Sequence, residues 1–299
     1  MRTLATRRVG RVAVAWLLVA TSATALSGCT ALSFAVANVP ARLAGLQRTA
    51  NIPYGELPRQ RLDVYRPARA DVSKPVVVFW YGGAWTEGAR AQYRCVGAAL
   101  AQRGYVVVVP DYRLYPEVRF PTFLDDGARA VYWVQQQIPQ FGGNAQRIVL
   151  MGHSAGAYMA SMLLADAQYL RRARADSGRI VGLIALSGPF SLTPDTPSLN
   201  AIFAPPFSVA DWRVAAQLKH PTPPTLLIHG LDDHLVLSAV SERFAEQLRS
   251  LGSDVTLKLY AHCDHVCPLA ALSVPARRRA TSLADITVFL NSLSARPVK

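Results

Sequence analysis

RIVLMGHSAGAYMASMLLADAQ, residues 147–168, decides the reading of this chain. An apolar, β-branched run ends at Gly152-His153-Ser154-Ala155-Gly156, and a helical pattern begins immediately after it. Small residues two positions on either side of Ser154 permit a sharp turn from strand into helix. That turn exposes the hydroxyl above a sheet edge, with the N-terminus of the next helix beneath it. The bare G-x-S-x-G pattern recurs by chance, and a helix-capping serine is its ordinary alternative. The strand-turn-helix setting favours a nucleophile at Ser154.

A serine hydroxyl needs a general base, and the base needs an acid to orient it. Both occur downstream, each just after a strand pattern. TLLIHG (225–230) leads into Leu231-Asp232-Asp233-His234, and VTLKLY (255–260) leads into Ala261-His262-Cys263-Asp264-His265. The order Ser154, Asp233, His265 is one of the known chain orders of a catalytic triad. Asp233 is preferred to its neighbour Asp232, read as a capping residue, and His265 to His262. His229 reads as a strand-end residue at the sheet edge, and His153 as a flank of the nucleophile. Tyr81-Gly82-Gly83-Ala84-Trp85 also follows a strand pattern. The amides of Gly82 and Gly83, with that of Ala155, are the expected oxyanion donors. Tyr81 and Trp85 are either structural aromatics or borders of the acyl pocket, and His153 is a third pocket candidate.

Strand and helix patterns alternate outward from this centre. PVVVFWY (75–81) and YVVVVP (105–110) are continuous apolar runs of the kind found in buried central strands, whereas RLDVYRP (61–67) alternates like a half-exposed one. Helical patterns lie near 89–103, 122–138, 155–168, 239–250 and 281–293. This rhythm calls for a mostly parallel sheet with helices on both faces. Residues 188–224 break it with many prolines and one modest helical pattern ending near Leu218, and are expected to form a cap-like insertion.

The combination resembles the α/β-hydrolase superfamily, in the esterase branch related to hormone-sensitive lipase and to the bacterial acetyl-esterase and feruloyl-esterase-like proteins. The resemblance runs from about Tyr54 to Leu293 and rests on YGGAW, PDYRLYPEVRFP, the segment around Ser154, LLIHGLDD and YAHCDHV. It implies an α/β-hydrolase fold and hydrolysis of small carboxyl esters through Ser154, Asp233 and His265. Amide, peptide or aryl-formamide hydrolysis is the alternative on the same fold, and an inactive membrane-anchored binding protein is a second. Many relatives carry histidine where this chain has Tyr81. Two cysteines flank His265, which suggests metal ligation with His262 or a disulfide, also open to Cys95. Three buried thiols are the default expectation, with no metal and no cofactor.

The N-terminus carries a separate message. Arg2, Arg7, Arg8 and Arg11 precede thirty uncharged residues, 12–41, and within these Leu26-Ser27-Gly28-Cys29 resembles the bacterial lipobox. The expected organisation is a signal peptide at 1–28, a tether at 29–50 that is lipid-anchored through Cys29, and a catalytic domain at 51–299. The protein would then be an exported lipoprotein, held to a membrane and facing the periplasm or the cell exterior. An uncleaved signal anchor or a secreted form is the other outcome.

Composition agrees with one large domain: 299 residues, 51% hydrophobic and 17% charged, with only four cysteines, exclude a disordered chain or a dense disulfide framework. The net charge of +13 falls to +9 once the four leader arginines are set aside. Arg171, Arg172, Arg174 and Arg179 form one basic cluster and Arg277-Arg278-Arg279 another, without the reading helix or stacking aromatics of a nucleic-acid site. A solvated surface resting near anionic lipid, with no nucleic-acid partner, is the expectation.

Overall fold

The computed structural model describes residues 32–43 and 45–295. Helix α1 covers 32–43 and strand β1 Gln47–Pro53, followed by β2 (Arg61–Arg66), β3 (Pro75–Trp80), α2 (Arg94–Ala101), β4 (Val107–Pro110) and α3 (Thr122–Gln137). The second half begins with β5 (Asn144–His153), α4 (Ala155–Ala165), α5 (Gln168–Arg172) and β6 (Ile180–Leu186). Three short helices come next: α6 (Pro197–Ile202), α7 (Val209–Trp212) and α8 (Val214–Gln217). The chain closes with β7 (Thr225–Gly230), α9 (Ala239–Ser250), β8 (Val255–Tyr260), α10 (Cys267–Ala270) and α11 (Ser282–Ser294).

The strands form one sheet in the order β1-β2-β4-β3-β5-β6-β7-β8. β3 to β8 run parallel, and β2 pairs antiparallel with both β1 and β4. All side chains of β3 and β4 are buried, as expected for strands covered on both faces by helices. β8 is the far edge and stays partly exposed, and its Lys258 reaches Asp285 of α11 at 3.3 Å. The chain passes from β3 to β4 on one side and later places β5 on the other. This reversal opens a crevice at the carboxyl ends of β3 and β5, where α/β sheets bind ligands.

Two expectations change. The expected tether, 29–50, includes α1 and the first four residues of the edge strand β1 (47–50), and both elements pack on the domain. Asn38 of α1 donates to the Gln92 carbonyl and accepts from the Cys95 amide, both at 2.8 Å. Because β1 covers its outer edge, β2 is buried along its four central residues and not half-exposed. Asp63 explains that junction: its buried carboxylate accepts from Arg48 of β1 at 2.6 Å and from Arg90 at 3.0 Å. Cys29 and the leader lie outside the described residues, and no described helix is long and apolar enough to cross a membrane.

The 188–224 insertion folds into α6, α7 and α8 over the crevice. Phe203 packs edge-on against Trp85 at 4.9 Å and Tyr158 at 5.9 Å, while the Tyr158 hydroxyl donates to the Trp212 carbonyl at 2.6 Å. Aromatic packing and hydrogen bonds from the Phe120 amide to the Ile202 carbonyl and from Gln247 to the Ala215 carbonyl hold this segment in place.

Candidate active site

Ser154 sits between β5 and α4 with φ 53° and ψ −121°, a sparsely populated conformation for a residue bearing a side chain. Its amide donates to the Leu186 carbonyl of β6 at 2.9 Å, and its carbonyl accepts the Tyr158 amide in the first turn of α4. Gly156 lets α4 pass against β3, since a Cβ there would stand 2.0 Å from the Trp80 carbonyl oxygen. That contact keeps the turn tight. Gly82 answers a similar constraint from the other side, where an added Cβ would lie 2.9 Å from the Ser154 Cβ. The Tyr81-Gly82-Gly83 loop therefore lies directly beside the nucleophile.

His265 reaches Ser154 from the loop after β8. Its Nε2 is 2.9 Å from the Ser154 Oγ, and its Nδ1 is 2.7 Å from the Asp233 Oδ2. Asp233 is buried at the end of β7, and its Oδ1 accepts the amides of Leu235 and Val236 at 3.0 and 2.9 Å. Burial pushes its pKa up, but hydrogen bonds from His229, His265 and the Val236 amide outweigh burial and hold it well below the usual carboxylate range. An ionised Asp233 fixes the proton of His265 on Nδ1, leaving Nε2 to accept from Ser154. Asp232 and His262 stay apart from this line, 3.9 Å from each other and largely exposed.

Two histidines have roles that periodicity does not reveal. His229 is fully buried, not a sheet-edge residue, and its Nε2 lies 2.9 Å from the Asp233 Oδ2 and 2.7 Å from the Val236 carbonyl. A carbonyl only accepts, so that nitrogen carries the proton, and Nδ1 accepts from the Ser241 hydroxyl at 2.7 Å. Asp233 thus receives two imidazole N–H groups on one oxygen. His153 donates from Nε2 to the backbone carbonyl of His265 at 3.0 Å, and the Ser187 hydroxyl donates to the same oxygen at 3.1 Å. Burial, then the neighbouring His265, lower the pKa of His153 to about 3, so it is neutral at pH 7. His153 therefore acts on the backbone of the base, and holds the loop that carries it.

Tyr81 and Trp85 are also structural aromatics. Tyr81 is fully buried, stacked on Tyr93 and Tyr112, and its hydroxyl donates to Asp111 at 2.8 Å and accepts from Arg59 at 2.9 Å. The Tyr112 hydroxyl holds the Tyr81 carbonyl at 2.9 Å. Arg59, Asp111 and Tyr112 thus brace the glycine loop. Trp85 is buried among Phe123, Tyr158 and Phe203. Tyr81→Phe should lower kcat several-fold with little change in KM and reduce stability by about 1–3 kcal/mol, as buried Asp111 and partly buried Arg59 each lose a bond. Steady-state kinetics with urea unfolding checks this.

The default of three thiols is corrected as well. Cys263 and Cys267 are joined by a disulfide that brackets His265, with both residues buried, and Cys95 is a free thiol whose pKa burial raises to about 11. Two of the sulfurs once available to a metal are therefore bonded to each other. Among the described residues no group of three or more His, Cys, Asp or Glu side chains is arranged to hold a metal ion. A five-residue ring restricts the unfolded chain by about 2 kcal/mol in the chain-entropy model. Cys263→Ser/Cys267→Ser should lose about that much stability in urea unfolding, and its kcat should fall more than its KM changes because the loop carrying His265 is loosened.

The architecture matches solved structures closely. Inhibited esterase B from Lactobacillus rhamnosis superposes with a TM-score of 0.72 at 20% sequence identity, covering 90% of this chain and 97% of that one. The fold is that of the α/β-hydrolases. Two family models match parts of the chain: BD-FAE over residues 62–193, and serine hydrolase (FSH1) over residues 130–273. Among curated proteins, isoprenylcysteine alpha-carbonyl methylesterase of Arabidopsis thaliana is 32% identical over 238 residues, which are 72% of this chain and 56% of the relative. Kynurenine formamidase of Salmo salar is 32% identical over 156 residues, 51% of this chain and 50% of that protein. The chain spans about half the length of the curated relatives it matches.

Proposed function

We propose that this α/β-hydrolase cleaves small carboxyl esters through an acyl-enzyme on Ser154. The observation that carries the reading is a single imidazole, His265, within hydrogen-bond distance of Ser154 on one nitrogen and of Asp233 on the other. Ser154 Oγ attacks the ester carbonyl and its proton passes to His265 Nε2. Asp233 offsets the resulting imidazolium charge. The amides of Gly82, Gly83 and Ala155 hold the oxyanion, each such donor contributing roughly 3 kcal/mol to the transition state. Collapse breaks the ester C–O bond and the leaving alkoxide takes the proton from His265. Water, activated by the same imidazole, then hydrolyses the acyl-serine.

The loops that carry Asp233 and His265 present apolar side chains to solvent. Leu231, Leu235 and Leu237 on the acid loop and Val266 beside His265 are exposed. The esterase names of the structural neighbour and of the Arabidopsis relative support the same substrate class. Similarity to kynurenine formamidase over half the chain keeps aryl formamides as the second reading. Assay of acetyl, butyryl, octanoyl and feruloyl esters beside an aryl formamide separates them. Turnover of the short esters supports the proposal, and turnover of the formamide alone overturns it.

Export and lipid attachment through Cys29 belong to the same proposal. The Cys263–Cys267 disulfide supports it, because such bonds persist in oxidising compartments. The protein then faces the periplasm or the cell exterior, where extracytoplasmic esters are its substrates. Palmitate labelling that is lost in Cys29→Ser is the expected result, and labelling that survives the substitution contradicts the attachment site.

A further inference from the structure

We propose that the outward face of α1 and the arginine cluster beside it form a docking surface for an anionic lipid bilayer. This rests on the membrane attachment proposed above and adds which face of the domain meets the lipid. Leu32, Val36, Val39 and Leu43 recur at helical spacing along α1 and are 66%, 50%, 49% and 80% exposed. The opposite side of the helix is committed to the domain: Phe34 packs edge-on against Tyr93 at 5.2 Å, and buried Asn38 is bonded to Gln92 and Cys95. The helix cannot roll to hide its stripe. A row of large apolar side chains held in solvent is unfavourable and marks a surface that meets an apolar phase.

Charge lies next to the stripe. Ala37, Pro40 and Ala41 of α1 share a narrow crevice with Leu272, Val274 and Arg277, so α1 borders the segment that leads into the arginine run. Arg277 also opens on a neighbouring cavity of about 590 Å³ lined by Arg103, Arg278 and Arg279. Its Nε is buried without a hydrogen-bond partner, and burial together with the charge of Arg103 lowers its pKa. Arg279 has one carboxylate at the hydrogen-bond limit, Asp264 at 3.4 Å. Arg42 and Arg278 are exposed. Positive charge that carboxylates among the described residues leave largely unanswered, beside an apolar stripe, fits phosphate headgroups above acyl chains.

The chain itself restricts the choice of partner. Only three peptide units separate Cys29 from Leu32, a reach of about 11 Å at full extension. A lipid on Cys29, or an uncleaved anchor ending there, keeps the first turn of α1 within that distance of the membrane, and laying its apolar stripe on the bilayer brings the rest of the helix down. Asp264 immediately precedes His265, so its contact with Arg279 makes the docking face adjoin the histidine loop.

The test uses the full chain with its own leader, purified from bacterial membranes and reconstituted on vesicles of phosphatidylglycerol with phosphatidylcholine, or of phosphatidylcholine alone. Phenylglyoxal modification of individual arginines is followed by mass spectrometry, and the N-terminal peptide mass reports acylation of Cys29. On anionic vesicles Arg42, Arg278 and Arg279 should react about five-fold more slowly than on neutral ones, while Arg69, exposed between β2 and β3, is unchanged. Val36→Asp/Val39→Asp should restore the reactivity of Arg42 on anionic vesicles. An acylated, vesicle-bound chain whose three arginines react equally on both vesicles overturns the docking surface. A chain that lacks the Cys29 lipid but shows the protection sinks the lipobox reading and leaves the docking surface supported.

Discussion

Ser154→Ala is expected to lower kcat/KM on a short-chain ester by about 10⁵–10⁶-fold, with the residual rate left to the oxyanion amides and substrate binding. The size of the loss follows from the geometry. Ser154 Oγ is the hydroxyl bonded to His265 Nε2, so its removal abolishes the acyl-enzyme route and does not merely weaken a contact. Stability should change little. The backbone strain at φ 53° stays with alanine, and a single oxygen is removed from a partly exposed position. Steady-state kinetics, with circular dichroism to confirm folding, gives the comparison. A variant within ten-fold of wild type would remove Ser154 from the chemistry.

Asp233→Asn should lower kcat by about 10⁴-fold and reduce stability by about 1–3 kcal/mol. Both carboxylate oxygens of Asp233 act as acceptors: Oδ1 for the amides of Leu235 and Val236, Oδ2 for His229 and His265. An asparagine has one oxygen and one NH₂ group. Either orientation turns a buried donor toward existing donors. If the NH₂ faces His265, the ring relieves the clash by moving its proton to Nε2, which can then no longer accept from Ser154.

The pH dependence of stability checks the same residue. The folded pKa of Asp233 lies below its ordinary 3.8, so the stability it contributes is present above pH 3.8 and is lost as pH falls below that value. The gap between wild type and Asp233→Asn should therefore be full at neutral pH and close in strong acid. A gap that widens as pH falls would reverse the sign assigned to this group.

Much of this was legible because strong local rules coincide. The strand before Ser154, the small residues around it and the helix after it sit together in twenty-two residues, and the loops after β7 and β8 carry the only acid-plus-histidine groupings that follow strands. What sequence could not supply depends on burial and on distant packing. His229 looks like a strand end, yet β8 and α9 enclose it and turn it onto Asp233 and Ser241. Tyr81 offers no periodic signal either; its role as a brace depends on Arg59, Asp111 and Tyr112, residues up to thirty-one positions away. The disulfide was one of several open pairings until the turn after β8 brought Cys263 and Cys267 together. The exposed and half-buried residues of the edge strand β1 carry little hydrophobic alternation, so pairing with β2 decides its state.

The central claim is that an ester's acyl group passes through Ser154. Its most direct test is rapid acid quenching of the enzyme during turnover of a butyryl ester, followed by peptide mass spectrometry. The expected result is a butyryl group on the peptide carrying Ser154, accumulating in a burst and absent from Ser154→Ala. Turnover at full rate with Ser154 unmodified, and with no acyl group on any other residue, would contradict it.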